Sequence, residues 1–112
     1  MQVLLTTDSN IEGDQQLRAQ VEASVTSALK RFASRITRVE VHLGDENSAG
    51  KSGAADKRCV CEARLARHDP ITVTHHAPSV DLALSGALER LERVLGRTVD
   101  KLNDHRSRGP RT

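Results

Sequence analysis

From Pro78-Ser79 to Leu102 apolar residues recur with the period of a helix, and Leu84, Leu88, Leu91, Leu95, Val99 and Leu102 fall into one stripe. A helix this long and this one-sided does not stand in water alone, so the rest of the chain must supply an apolar surface for the stripe. Ser79 is placed to cap its first turn. Arg90, Arg93, Arg97 and Lys101 recur at i, i+3, i+7 and i+11, which keeps them within about 80° of one another on a different flank. The pattern predicts one face that buries and one that meets negative charge. Gly86 and Gly96 interrupt it, each costing about 1 kcal/mol against alanine. They either admit a neighbour closely or weaken the helix, and spacing alone does not choose.

The receiving surface reads as a sheet. Gln2–Thr7 is a first strand. Residues 36–43 alternate, with Val39, Val41 and Leu43 on one side and Arg38, Glu40 and His42 on the other. Residues 57–66 alternate likewise, with Cys59, Cys61, Ala63 and Leu65 opposed to Arg58, Glu62 and Arg64. A turn at Arg67-His68-Asp69 leads through Pro70 to a fourth strand. Pairing Leu65 with Ile71, Ala63 with Val73 and Cys61 with His75 keeps apolar residues together. Asp14 caps an expected helix from Gln15 to Ser34, whose buried side is Leu17, Val21, Val25, Ala28, Leu29 and Phe32. Lys30, Arg31 and Arg35 then suit its C-terminal dipole. Residues 44–56 hold no apolar residue larger than alanine and read as a mobile loop, and residues 103–112 as a short, disordered basic tail.

The expected fold is therefore α+β, a two-layer sandwich of order β-α-β-β-β-α. A four-stranded mixed sheet carries two helices on one face, close to the order of double-stranded-RNA-binding domains. Strands covered on both sides would read as unbroken apolar runs, and these alternate. Residues 1–102 form one domain of a 112-residue chain.

Composition narrows the function. Phe32 is the only aromatic residue, so recognition by base stacking is excluded in any sustained form. Net charge is only +2, but the charges are segregated. Lys30, Arg31, Arg35 and Arg38 follow one another without an acid, whereas Asp8, Glu12, Asp14 and Glu22 precede them and Glu40, Asp45, Glu46 and Asp56 follow. Such segregation fits a polyanion met through phosphate and shape. No stretch is long and apolar enough for a membrane span, and no signal peptide opens the chain. Cys59 and Cys61 read as reduced cytosolic thiols.

Cys59, Cys61, His75 and His76 have the residue types of a zinc site, but His76 should point away from the other three. Four ligands do not converge, and no metal or cofactor is expected. No glycine-rich phosphate loop, nucleophile elbow or paired-histidine helix is present, and His68-Asp69 reads as a solvated turn, so no enzyme activity or small-molecule substrate is expected. A protein-interaction module using the apolar stripe of the last helix and a small structured-RNA-binding domain are alternative readings. Steep salt dependence would separate phosphate contacts from an apolar interface.

The element order, Leu17-Arg18, Phe32, Arg35-Ile36 leading into Val39, and above all the run from Glu89 to Leu102 ending in Asp-Lys-Leu, resemble the ribosome hibernation-promoting factor and ribosome-associated inhibitor family (the sigma-54 modulation proteins) over residues 2–102. The resemblance implies a cytoplasmic protein, monomeric in solution, that binds small-subunit rRNA in the mRNA and tRNA channel and inhibits translation in stress or stationary phase. It implies the short form, without the dimerisation domain of longer members. Arg90, Arg93, Arg97 and Lys101 match the basic positions of the family's last helix. Lys30, Arg31, Arg35, Arg64 and Arg67 are expected to assist them. The chain departs from the family in its first helix, where Ser24, Thr26 and Ser27 stand in a stretch that usually carries several lysines. It departs again at Val80-Asp81-Leu82, where an aromatic is common, and in a longer 44–56 loop.

Overall fold

Asp14 and Ser79 set where the two helices begin. Asp14 Oδ1 accepts the Leu17 N–H at 2.8 Å, and Ser79 Oγ accepts the Leu82 N–H at 3.2 Å, each satisfying a first-turn donor. The computed structural model describes residues 1–46 and 56–107. In order they form β1 (Gln2–Thr7), α1 (Gln15–Ala28), a 3-10 turn (Lys30–Phe32), β2 (Ile36–Asp45), β3 (Lys57–Leu65), β4 (Ile71–Ala77) and α2 (Val80–Ser107). The sheet order is β1-β2-β3-β4, with β1 parallel to β2 and the other pairs antiparallel. This is the expected α+β architecture.

Alternation places Val39, Val41, Leu43, Cys59, Cys61, Ala63, Leu65, Ile71 and Val73 in one core with Val21, Val25, Leu29 and Phe32. From α2 come Ala83, Leu84, Ala87, Leu88, Leu91, Leu95 and Val99. Full burial of a leucine such as Leu91 contributes about 2 kcal/mol. The two helices run side by side in the same direction. Gln20 of α1 donates to Asp81 at the start of α2, and Arg35 donates to Asn103 near its end. Both C-terminal ends therefore point to the end of the sheet where Ile36 pairs with Leu65.

Four expectations change. First, α1 stops at Ala28 and not at Ser34. The chain tightens after Leu29, with the Phe32 N–H on the Leu29 carbonyl at 2.9 Å and the Arg35 N–H on the Phe32 carbonyl at 2.9 Å. That tightening delivers both Phe32 and Ile36 to the core. Lys30, Arg31 and Arg35 accordingly lie beyond the α1 C-terminus, outside its last turn.

Second, the β3–β4 register is offset by two residues: Ala63 pairs with Ile71, Cys61 with Val73 and Cys59 with His75. The turn takes up the difference, with the His68 N–H on the Leu65 carbonyl and Arg67 at φ 62°. A slip of two keeps every side chain on its own face, so burial fixes the parity of pairing and leaves the register to the turn.

Third, Gly44 and Asp45 belong to β2, paired with Arg58 and Lys57, and not to a loop. The rest of the expected 44–56 loop, apart from Glu46 and Asp56, lies outside the described residues.

Fourth, α2 continues past Leu102 to Ser107, so the first part of the expected tail is helical. Residues 108–112 lie outside the described residues. The extra turns pass the end of the sheet, which leaves Leu102 38% exposed and outside the buried stripe.

Candidate nucleic-acid interface

α2 is one continuous helix through both Gly86 and Gly96. Its buried stripe is held down by the sheet, so the remaining flanks are fixed in direction. Arg90, Arg93, Arg97 and Lys101 are all exposed. Centred about 125° from the buried stripe at 100° per residue, they form one row. Among the described residues none of the four takes part in an ion pair. Glu89, four residues before Arg93, is within helical reach, yet no pair forms. The row is therefore available to an outside anion.

The side of α2 that faces α1 carries different residues. Ser85, Leu88, Glu89 and Glu92 line a groove with Ala23, Ser24, Ser27 and Ala28 of α1. At the far end of that side is Gly96, and there the 3-10 turn comes in. A β-carbon at residue 96 would stand 3.2 Å from Nη2 of Arg31 and 3.9 Å from Cζ of Phe32. The Arg31 guanidinium also lies 4.4 Å from the centre of the Phe32 ring. Arg31 is thus brought to α2 between the levels of Arg93 and Arg97. Lys30 is exposed beside it, and Arg35 is half-buried and tied to Asn103. Gly86 is close-packed for another reason. The His75 ring occupies the place its side chain would take, with Cδ2 2.1 Å from that point.

Of the nine candidate residues, seven gather on the helical side: Arg90, Arg93, Arg97 and Lys101 with Lys30, Arg31 and Arg35. Arg64 does not join them. It alternates onto the open face of the sheet, where it pairs with Glu62 at 3.2 Å and Glu40 at 3.8 Å. Arg67 sits at the tip of the β3–β4 turn, exposed and in a left-handed conformation unusual for a non-glycine residue. It is at the end of the molecule where both helices finish, but on neither helix. The other open-face cations are matched as well. Arg38 pairs with Glu40 and Arg58 with Glu46, while on the covered side of β3, in line with Cys59, Lys57 pairs with Asp45 and Asp56. Its hydrogen bond to Asp56, opposed by some desolvation and aided by Asp45, holds the Lys57 ammonium above its ordinary range.

Two partners of the helical cations escaped the sequence reading, namely Gly96 as the seat of Arg31 and Asn103 as the acceptor for Arg35. A glycine in mid-helix is the one local signal that marked the first. Asn103 carried none, because it was placed in the tail.

The thiols and histidines do not converge. Cys59 Sγ and Cys61 Sγ are 3.7 Å apart and buried. Cys61 is pushed well above the usual thiol range, first by its contact with Cys59 and then by burial, so it stays protonated. His75 turns to Gly86, whereas His76 on the opposite face meets Glu46 Oε1 at 2.7 Å. Among the described residues no group of three or more His, Cys, Asp or Glu is arranged to hold a metal ion. None of the helices among the described residues is long and apolar enough to cross a membrane. The apolar stripe of α2 is occupied by the core, and among the described residues of that helix only Leu82 and Leu102 are exposed large apolar residues. That removes the reading in which the stripe docks a partner.

Residues 5–103 match the family model described as sigma 54 modulation protein / S30EA ribosomal protein. Solved structures share the fold, among them the two that follow. The Protein Y N-terminal domain of Thermus thermophilus superposes with a TM-score of 0.68 at 22% identity, covering 88% of this chain and 99% of that one. A ribosomal subunit interface protein from Coxiella burnetii gives a TM-score of 0.69 at 13% identity, covering 89% of this chain and 99% of that one. No curated protein matches the chain.

Proposed function

The chain belongs to the sigma 54 modulation protein / S30EA ribosomal protein family, and on that premise we propose that it is a non-enzymatic ribosome-binding factor. It binds small-subunit rRNA near the mRNA and tRNA channel and inhibits translation in stress or stationary phase, working as a monomer in the cytoplasm. One observation supports the RNA part above the others: Arg90, Arg93, Arg97 and Lys101 are exposed, aligned and without an ion pair among the described residues. Ordered guanidinium groups match phosphate oxygens in planar, two-pronged contacts, and a surface without aromatics reads RNA by backbone and shape. Lys30, Arg31 and Arg35 extend the surface at the C-terminal end of the helices. Arg67 touches the same partner only if that partner wraps the end of the sheet. Arg64, held between Glu40 and Glu62, contributes little.

The test is co-sedimentation of purified protein with small ribosomal subunits. Changing Arg90, Arg93, Arg97 and Lys101 to Glu should abolish it. Undiminished binding of that variant at moderate salt overturns the proposal.

A further inference from the structure

Gly96 is an odd choice in the middle of a 28-residue helix, because glycine weakens a helix and nothing in the backbone there requires it. Residue 96 is helical, with no break, and so is Gly86. The two glycines differ in what meets them. At Gly86 the neighbour is the His75 ring, half-buried at the edge of the core. At Gly96 the nearest neighbour is the far end of Arg31, an exposed cation that no ion pair among the described residues explains. A glycine kept for the core would face core residues. This one meets a guanidinium first, at 3.2 Å, with the edge of the core at Phe32 behind it at 3.9 Å.

We infer that Gly96 is a positioning residue, and that Arg31, seated on it, forms with the neighbouring α2 arginines a single subsite for a backbone phosphate of structured RNA. The geometry has three parts. The Phe32 ring lies 4.4 Å from the guanidinium carbon and limits the directions Arg31 can take. The bare backbone at Gly96 lets Nη2 come within 3.2 Å of where a β-carbon would be, closer than an alanine tolerates without displacement. Arg93, three residues before Gly96, is its neighbour on the helix surface, and Arg97 follows one residue on, turned about 100° further round toward the rest of the row. In this way a cation carried by the 3-10 turn joins the row carried by α2. The first helix contributes through its exit instead of its length, where Ser24, Thr26 and Ser27 offer no charge. Pre-ordering a guanidinium raises affinity by reducing what must be immobilised on binding.

The inference rests on the ribosomal reading above and yields a signature that a structural glycine does not share. Gly96→Ala should raise the melting temperature by about 4 °C through helix propensity, because the group it displaces is the exposed guanidinium and not the packed core. The same change should weaken binding to purified small subunits about three- to tenfold. Arg31→Ala, which removes the charge itself, should lower the slope of log affinity against log salt by about one, and Gly96→Ala, which keeps it, by less. Arg31→Ala should weaken binding to the same extent, and the double variant no further. If Gly96→Ala binds as the parent does, or if its loss persists undiminished in the Arg31→Ala background, the seat is overturned. The fourfold charge reversal on α2 separates the two levels. If that variant also binds undiminished, the ribosomal reading fails. If it loses binding while Gly96→Ala does not, only the seat fails.

Discussion

The helical side carries more arginines than the open face of the sheet, and the two use them in opposite ways. On the sheet, period-two alternation sets Arg38, Glu40, Glu62 and Arg64 on one surface, and neighbouring strands bring the two signs together. Glu40 meets both Arg38 and Arg64, at 3.4 and 3.8 Å. On α2, no acid forms an ion pair with the row among the described residues, although Glu89 is four residues before Arg93 and Asp100 three after Arg97. Glu92 and Glu89 turn toward α1, and the cations turn away. The sheet face is thus electrically closed and the helical flank open. Charge content says little about where a polyanion binds; which charges find an internal partner decides it.

The largest expected effect lies beneath this contrast. Gly86→Ala would drive a methyl group into the His75 ring, whose nearest atoms are 2.1 to 2.7 Å from that position. Displacing a half-buried ring should outweigh the gain in helix propensity and destabilise the protein by about 2 kcal/mol. Chemical denaturation measures it, and the sign should reverse when His75 is also changed to Ala. A stabilised Gly86→Ala single variant would show that the ring moves freely, and that the α2 flank is less firmly aimed than its packing implies.

The covered face of the sheet gives the next effect. The Cys61 thiol has an ordinary value of 9.0 and is raised in the fold by Cys59 and by burial. The unfolded chain therefore releases a proton above pH 9 that the folded chain keeps. Stability from this group is complete below pH 9 and falls as pH rises beyond it. Melting between pH 8 and 10 should show this decline, and Cys61→Ala should make it shallower.

The smallest effect sharpens the comparison itself. Glu40→Gln removes the carboxylate shared by Arg38 and Arg64. Exposed and half-exposed pairs of this kind contribute about 0–1 kcal/mol, so the melting point should hardly move. Binding to non-specific duplex RNA at low salt should increase slightly, because Arg38 loses its carboxylate partner while Arg64 keeps Glu62. No change in RNA binding would mean that closure of the sheet face does not depend on that carboxylate.

Much of this was legible in the residues. The strands announced themselves by alternation, the helix starts by Asp14 and Ser79, and the cation row by its spacing. The misses share a cause, which is that local pattern does not contain tertiary distance. Parity of burial could not tell Cys61 opposite His75 from Cys59 opposite His75, since both keep the same faces together. Leu102 has the right angle for the core, but the sheet ends before α2 does. Arg64 has the right charge and sits between two acids from different strands, one of them contributed by β2. Gly96 was visible as an anomaly, yet its neighbour Arg31 is far away in sequence and reaches it only because α1 gives way to a tighter turn.

The salt dependence of binding to small ribosomal subunits is the most direct measurement, taken for the parent chain and for single Ala variants of Arg90, Arg93, Arg97 and Lys101. A phosphate-facing flank gives log affinity falling steeply with log salt, and each variant lowers that slope by about one. Binding that scarcely responds to salt, or four variants that leave the slope untouched, would contradict it.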